Sequence, residues 1–219
     1  MSRSDSQRFV AARWIALAAV LLLAGCTPKL DLLTGPAPNL YMLSAPPPAA
    51  FAGAGDSPAA GSLLIEEPTA IGALDTDRIA LAPAPFELKY FAGARWTDRA
   101  PRMLRHLVVE AFENSGRVAS VTDQTLGLPN DYSLRLELRD FEAELGSGRA
   151  APAIHLRIKA MLLRRSPVAI AGTRIFDLRV TAAGNDMKTI VATFDEALAR
   201  TLVQLVDWVA TTAGAPPPD

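Results

Sequence analysis

The sequence predicts an α+β domain, a mixed or antiparallel sheet with a long β-meander and two amphipathic helices packed on one face. Three observations predict it. Successive segments between residues 133 and 180 alternate apolar with charged side chains, the period of a strand with one buried face. Two other segments, one beginning near residue 97 and one near the C-terminus, repeat apolar residues at helical spacing instead. Pro-, Gly- and Asp-containing breaks separate these runs, so helices laid on the apolar face of one twisted sheet bury both periodic surfaces.

Each element has its own warrant. "NLYML" (39–43), "GSLLIEE" (61–67), "DRIAL" (77–81) and "FELKYF" (86–91) are strand-like runs bounded by turn residues. "WTDRAPRMLRHLVVEAFENSG" (96–116) is a helix. Thr97 or Asp98 can accept the first free backbone N–H groups, and Pro101 sits in the first turn, where its missing donor costs nothing. Leu104, Leu107, Val108, Ala111 and Phe112 share one face, and Gly116 supplies the left-handed stop.

In "SLRLELRDFEAEL" (133–145) the phase slips from Leu134, Leu136 and Leu138 to Phe141, Ala143 and Leu145. Such a slip turns the apolar face outward unless a bulge absorbs it, which predicts a β-bulge near Arg139-Asp140. "AIHLRIKAMLL" (153–163) alternates through Ile154, Leu156, Ile158, Ala160 and Leu162. "VAIAGTRIFDLRV" (168–180) alternates through Val168 and Ile170, then Phe176, Leu178 and Val180. Joined by "GSGRAAP" and "RRSP", the three form an antiparallel meander. A second helix over about 186–212 carries Ile190, Phe194, Leu198, Leu202, Leu205 and Val209 on one stripe.

The chain begins with Arg3, Arg8 and Arg13 against one acid, followed by the uncharged run "WIALAAVLLLAG". Spanning a bilayer takes about 20 apolar residues, so this run is short for a permanent anchor; basic head, apolar middle and small-residue end make an export signal. The only cysteine, Cys26, ends "LAGC". That segment resembles the bacterial lipobox, whose cysteine receives a diacylglycerol and becomes the first residue after cleavage. A lipidated thiol also explains a lone cysteine in an oxidising compartment, where no intramolecular disulfide is open to it. Thr27 rather than Asp after the cysteine resembles the outer-membrane sorting pattern.

The resulting organisation is a signal peptide over 1–25, a lipid-anchored tether and Pro/Ala-rich linker over 26–60, one α+β domain over 61–213 and a disordered tail over 214–219. Cleavage before Cys26 removes three arginines and one aspartate, taking the net charge from −1 to about −3. A weakly acidic chain without a basic cluster excludes nucleic acid as a natural partner. Acyl chains, each buried methylene contributing about 0.8 kcal/mol, provide the membrane attachment instead.

The residues show no catalytic constellation. His106 sits beside Arg105 on the first helix and His155 on the charged face of a strand; neither has ligand-like spacing, so no metal site is expected. Glu66-Glu67 point to opposite faces of a strand, and Asp75 and Asp77 lie in a turn-rich segment, so both pairs read as solvated charge. "GSGRAA" lacks the context of a phosphate loop and reads as a hairpin turn. No cofactor is expected. Tyr90, Phe91, Arg95 and Trp96 carry two readings. Trp96 reads as packing at the start of the helix, while the 90–95 loop stays open between packing and a partner-binding surface, where aromatic residues and Arg concentrate.

The order of motifs then becomes specific. A lipobox is followed by "YML" (41–43), by a strand pair containing "DTDRIAL", and by "YFAGARWTDRAP" leading into a helix. This order resembles the ABC-type transport auxiliary lipoprotein family, whose members accompany bacterial transporters with a mammalian-cell-entry (MCE) lipid-binding component. The resemblance implies a non-enzymatic accessory protein in the cell envelope. Its implied partners, to which it would dock on the periplasmic side, are an MCE-domain protein with its permease and ATPase, a system that moves lipid or another hydrophobic solute. A homo-oligomer would let one lipoprotein match the symmetry of a ring-shaped partner. The alternative reading is a structural or envelope-assembly lipoprotein with no transport role.

Overall fold

In a computed structural model of the protein, residues 37–52, 60–123, 129–146 and 151–214 are described. They form a nine-stranded mixed sheet with two α-helices. In chain order the strands are β1 (Asn39–Tyr41), β2 (Ala60–Ile65), β3 (Thr69–Ala70), β4 (Arg78–Ala84) and β5 (Glu87–Trp96). After helix α1 (Ala100–Ser115) come β6 (Val118–Thr122), β7 (Tyr132–Glu144), β8 (Ala153–Arg165) and β9 (Val168–Thr181). Helix α2 (Met187–Gly214) closes the chain.

Strand β7 is the spine. Along one edge it pairs antiparallel with β8, which pairs antiparallel with β9, the expected meander. Its other edge is shared by β2, β3 and β4, each parallel to it and each covering a short stretch. Beyond these, β6 pairs with β2, while β5 pairs antiparallel with β4 and carries β1 in parallel. The β7–β8 register shifts between Leu138 and Asp140, the bulge expected there. It keeps Leu134, Leu136, Leu138, Phe141 and Ala143 all buried on one face despite the change of phase.

Both helices seal that face. Leu104, Leu107, Val108, Ala111 and Phe112 of α1 are buried, as are Ile190, Phe194, Leu198, Leu202, Leu205 and Val209 of α2. Gly116 ends α1 with φ 60°, the left-handed stop. At the other end the first residue before α1 is Arg99 and no side chain caps it. Asp98 accepts from the Arg99 N–H at 2.8 Å instead, so neither Thr97 nor Asp98 serves as the expected cap. Asp186 does cap α2, its Oδ1 accepting the Thr189 N–H at 3.1 Å.

Three further findings depart from the sequence reading. Residues 38–52, inside the stretch read as tether, pack onto the domain: β1 adds to β5, and Leu43 and Phe51 are buried in the core. Side chains fix the same stretch, with Ser44 N–H and Oγ donating to Asp195 at 2.7 and 3.0 Å and Asn114 Nδ2 donating to the Pro46 carbonyl at 3.0 Å. Next, Val168 and Ile170 are exposed. A register shift against β8 between Leu162 and Leu163 turns β9 over before residue 172, so they leave the face that Phe176 occupies. Finally, β3 and β6 are strands too short and too exposed to announce themselves by alternation. Residues 147–150, the centre of the expected "GSGRAA" turn, lie outside the described residues, as does the 215–219 tail.

Candidate functional site

Cys26, the lipidation candidate, also lies outside the described residues. The other candidates cluster on β5. Residues 90–95 are not a loop: they are the bulged middle of that strand, where the register against β4 jumps between Arg78 and Ala80 and Gly93 takes φ +66°. The aromatics there are used inward. Trp96 is 1% exposed and stacks on Phe141 at 5.6 Å and edge-on to Phe194 at 5.3 Å. Tyr90 Oη donates to the Ala73 carbonyl at 3.0 Å, and the Arg78 guanidinium lies 3.8 Å from the centre of its ring. Arg95 donates to both oxygens of Asp77 at 2.8 and 2.9 Å, and Phe91 is half-buried against the core. The packing reading of Trp96 therefore holds, and Tyr90 and Arg95 brace the 73–77 turn.

The face of β7–β8–β9 away from the helices is a lattice of charge. The alternation that buries Leu156 and Ile158 turns His155 and Arg157 to this side, opposite Glu142 and Asp140 of β7 and Asp177 of β9. His155 is buried, with Nε2 at 3.0 Å from Asp177 and Nδ1 at 3.1 Å from both Glu144 and Arg179. Arg157 pairs with Asp140, Arg179 with Glu144 at 3.1 Å, and Arg139 with Glu137 at 3.1 Å. The Arg179 hydrogen bond holds the Glu144 carboxyl below the usual carboxylate range. Glu142 differs. Burial pushes its carboxyl above that range, only partly offset by the Phe141 N–H that it accepts at 2.6 Å.

Asp140, Glu142 and His155 offer one ligand atom each within 4.8 Å of one another, the one group of that kind among the described residues. The sequence reading missed this convergence because it is made by register: Glu142 and His155 are directly opposed across the β7–β8 pair. As built, Asp140 and His155 are committed to protein partners, and two guanidinium groups lie among the carboxylates. That makes the group an ion-paired network before it is a metal cradle. His106 is exposed. Glu66 bonds Ser133 and Arg135 whereas Glu67 pairs with Arg105, so the two acids do point apart. Asp75 pairs with Arg99.

Beside the network runs a groove of about 580 Å³, walled on one side by Asp140, Glu142 and Glu144 and on the other by the β4–β5 hairpin. The hairpin turns through Pro85-Phe86, since Ala84 opposes Glu87. Phe86, Leu88, Ile71 and Leu145 line the groove and are exposed. Sequence reading did not single out this surface; the Pro-Phe pair between two strands was its one available signal.

Fold and surface define an open-sheet α+β domain with one helix-covered face and one ion-paired face. The chain belongs to the ABC-type transport auxiliary lipoprotein component family, whose model matches residues 41–206. Lipoproteins are membrane-anchored proteins of the cell envelope, and membership assigns this chain to that compartment. A crystal structure of a Xanthomonas campestris protein described under DUF330 is similar at 30% identity and a TM-score of 0.70, covering 80% of this chain and 95% of that one. A hypothetical protein from Chlamydia trachomatis shares the fold at 10% identity and a TM-score of 0.50, over 70% of this chain and 98% of that one. An uncharacterized protein of Bradyrhizobium diazoefficiens is 29% identical over 149 residues, 67% of this chain. The match spans only 39% of that relative's length. Among the described residues no helix is long and apolar enough to cross a membrane.

Proposed function

We propose that the protein is a lipid-anchored, non-enzymatic accessory component of an MCE-type ABC transport system that moves lipid or another hydrophobic solute. It docks to the periplasm-facing transporter subunits. The observation that carries this reading is the family match, which runs through the folded domain from β1 into α2. The ion-paired face supports it, because polar groups bound to one another hold a surface in shape without performing chemistry. The anchor is a diacylglycerol on Cys26, at the outer membrane by the residue that follows it. The folded unit begins at Pro38 rather than at residue 61. Residues 26–37, even fully extended, then reach about 40 Å at most. A short leash keeps the domain close to the bilayer and raises its effective concentration toward a membrane-embedded partner, so modest contacts suffice.

Two experiments test the reading. Replacing Cys26 by Ser is expected to leave an unprocessed precursor or a species that no longer partitions into detergent with membrane proteins; normal processing and partitioning would remove Cys26 as the anchor. Affinity purification of the intact lipoprotein from membranes, read by mass spectrometry, is expected to recover the MCE-domain protein with its permease and ATPase. No association, together with transport intact after deletion, would leave a role in envelope structure.

A further inference from the structure

We infer that the groove between the β4–β5 hairpin tip and the carboxylate row of β7 is the docking site for a polypeptide segment presenting an apolar side chain beside a lysine or arginine. The inference rests on the docking reading above and gives it a surface and a partner chemistry.

Phe86 is the first reason. It is fully exposed, at 110% of the reference area, so its ring contributes nothing to the core. It also holds φ +67°, at the turn position where glycine or asparagine is the usual occupant. An aromatic there strains the backbone and leaves its ring in water, so the fold alone gives no account of it. Leu88, Ile71 and Leu145 extend the same exposed apolar surface around the groove. A contiguous patch of this kind beside a polar wall is the usual appearance of an interaction site.

Charge selects the occupant. Asp140, Glu142 and Glu144 wall the groove and Glu87 stands on the hairpin, while Arg139, the cation in the lining, is paired with Glu137. Asp140 and Glu144 have arginine partners and Glu87 has Lys89 at 2.6 Å. Glu142 is buried with the Phe141 N–H as its near partner and His155 Nδ1 at 3.9 Å. An incoming ammonium or guanidinium group would bring a counter-charge closer than His155 does, offsetting the burial that holds this carboxyl above its usual range. The same carboxylates oppose an anionic bilayer surface, so the apolar tip suits a basic polypeptide better than a membrane.

The test uses the full lipidated chain in phosphatidylcholine nanodiscs. The probe is a fluorescein-labelled peptide of about ten residues alternating leucine with lysine, its glutamate counterpart is the control, and empty nanodiscs give the baseline. The lysine peptide is expected to bind saturably and the glutamate peptide not at all. Phe86→Gly and Glu142→Gln are each expected to weaken binding about tenfold. Phe86→Gly should at the same time raise the melting temperature by about 2–4 °C, because it relieves the positive φ, so lost binding cannot be lost folding. Ile175→Ser, elsewhere on the open face, should bind as the wild type does. Equal affinity for the two peptides, wild-type affinity in Phe86→Gly, or binding matched by empty nanodiscs would overturn the site. Unchanged co-purification of transporter subunits by the Phe86→Gly/Glu142→Gln double variant would overturn the groove and leave the docking reading standing. Failure of the wild type to recover any transporter subunit would overturn the docking reading, and the peptide titrations would then judge the groove by themselves.

Discussion

On β8, Leu156 and Ile158 disappear beneath the helices, while His155 and Arg157, their neighbours in sequence, stand on the other side among carboxylates. One set of strands thus carries two surfaces with different physics. The covered face is continuous hydrocarbon in which Trp96, Phe141 and Phe194 meet with ring centres 5.0–5.6 Å apart, and such aromatic pairs are worth about 0.5–1.5 kcal/mol beyond their burial. The open face is held by ion pairs, which contribute about 0–1 kcal/mol each when solvent reaches them. Stability therefore resides on one side of the sheet, and the other side is free to be specific.

Perturbations ranked by size put that contrast at risk. The largest concerns the segment that joins the covered face from outside the expected domain. A chain truncated to begin at residue 61 loses Leu43 and Phe51, and two large apolar side chains at about 1.5–3 kcal/mol each place the loss near 3–6 kcal/mol. Urea midpoints against a chain beginning at residue 37 measure it, and equal midpoints would return those residues to the tether. Phe112→Ala, fully buried on α1, is expected to cost about 3–5 kcal/mol by the same denaturation.

On the open face the effects shrink and one changes sign. Glu142 has its carboxyl raised by burial, so its favourable contribution is present below the ordinary carboxylate range and is lost as pH rises through the raised value. Glu142→Gln should therefore melt higher than the wild type at neutral pH, with the gap closing as pH falls below the ordinary carboxylate range. A gap that stays constant across a pH series would refute the burial account. Smallest of all is Lys89, whose ammonium lies 2.6 Å from Glu87 on a half-exposed strand. Lys89→Ala should shift stability by less than about 0.5 kcal/mol, and a larger value in a double-mutant cycle with Glu87 would mean that the open face is stiffer than its ion pairs imply.

The covered face was legible in the sequence, down to the bulge after Leu138, because alternation and its interruption report burial directly. The same signal misled at Val168 and Ile170. A second bulge lies between them and Phe176, and "VAIAGTR" has too few charges to mark where the phase turns over. Residues 38–52 read as tether around one strand-like run because proline and alanine dominate the rest; what fixes them is the β1–β5 pairing, one phenylalanine, one leucine and bonds to Asp195 and Asn114, over 60 residues away in sequence. The groove was illegible for a similar reason. Its two walls, the hairpin at residues 84–88 and the carboxylates at 140–144, come together only through the parallel pairing of β4 with β7.

The shared edge of β7 also fixes the order in which the molecule can assemble itself. As the chain emerges N-terminus first, β2, β3 and β4 are made well before the strand that each must lie against. Of the three only β4 has a local partner, in the β5 hairpin; the parallel pairing of each with β7 waits on a strand some 60 to 70 residues downstream, a long loop to close before that pairing stabilises anything. The meander from β7 to β9 and the helix after it are by contrast built from neighbours. Folding should run from the C-terminal half toward the N-terminal one, against the direction of synthesis. Strands β2, β3 and β4 would then be the last to join the sheet, closing it along an edge of β7 that the meander has already fixed.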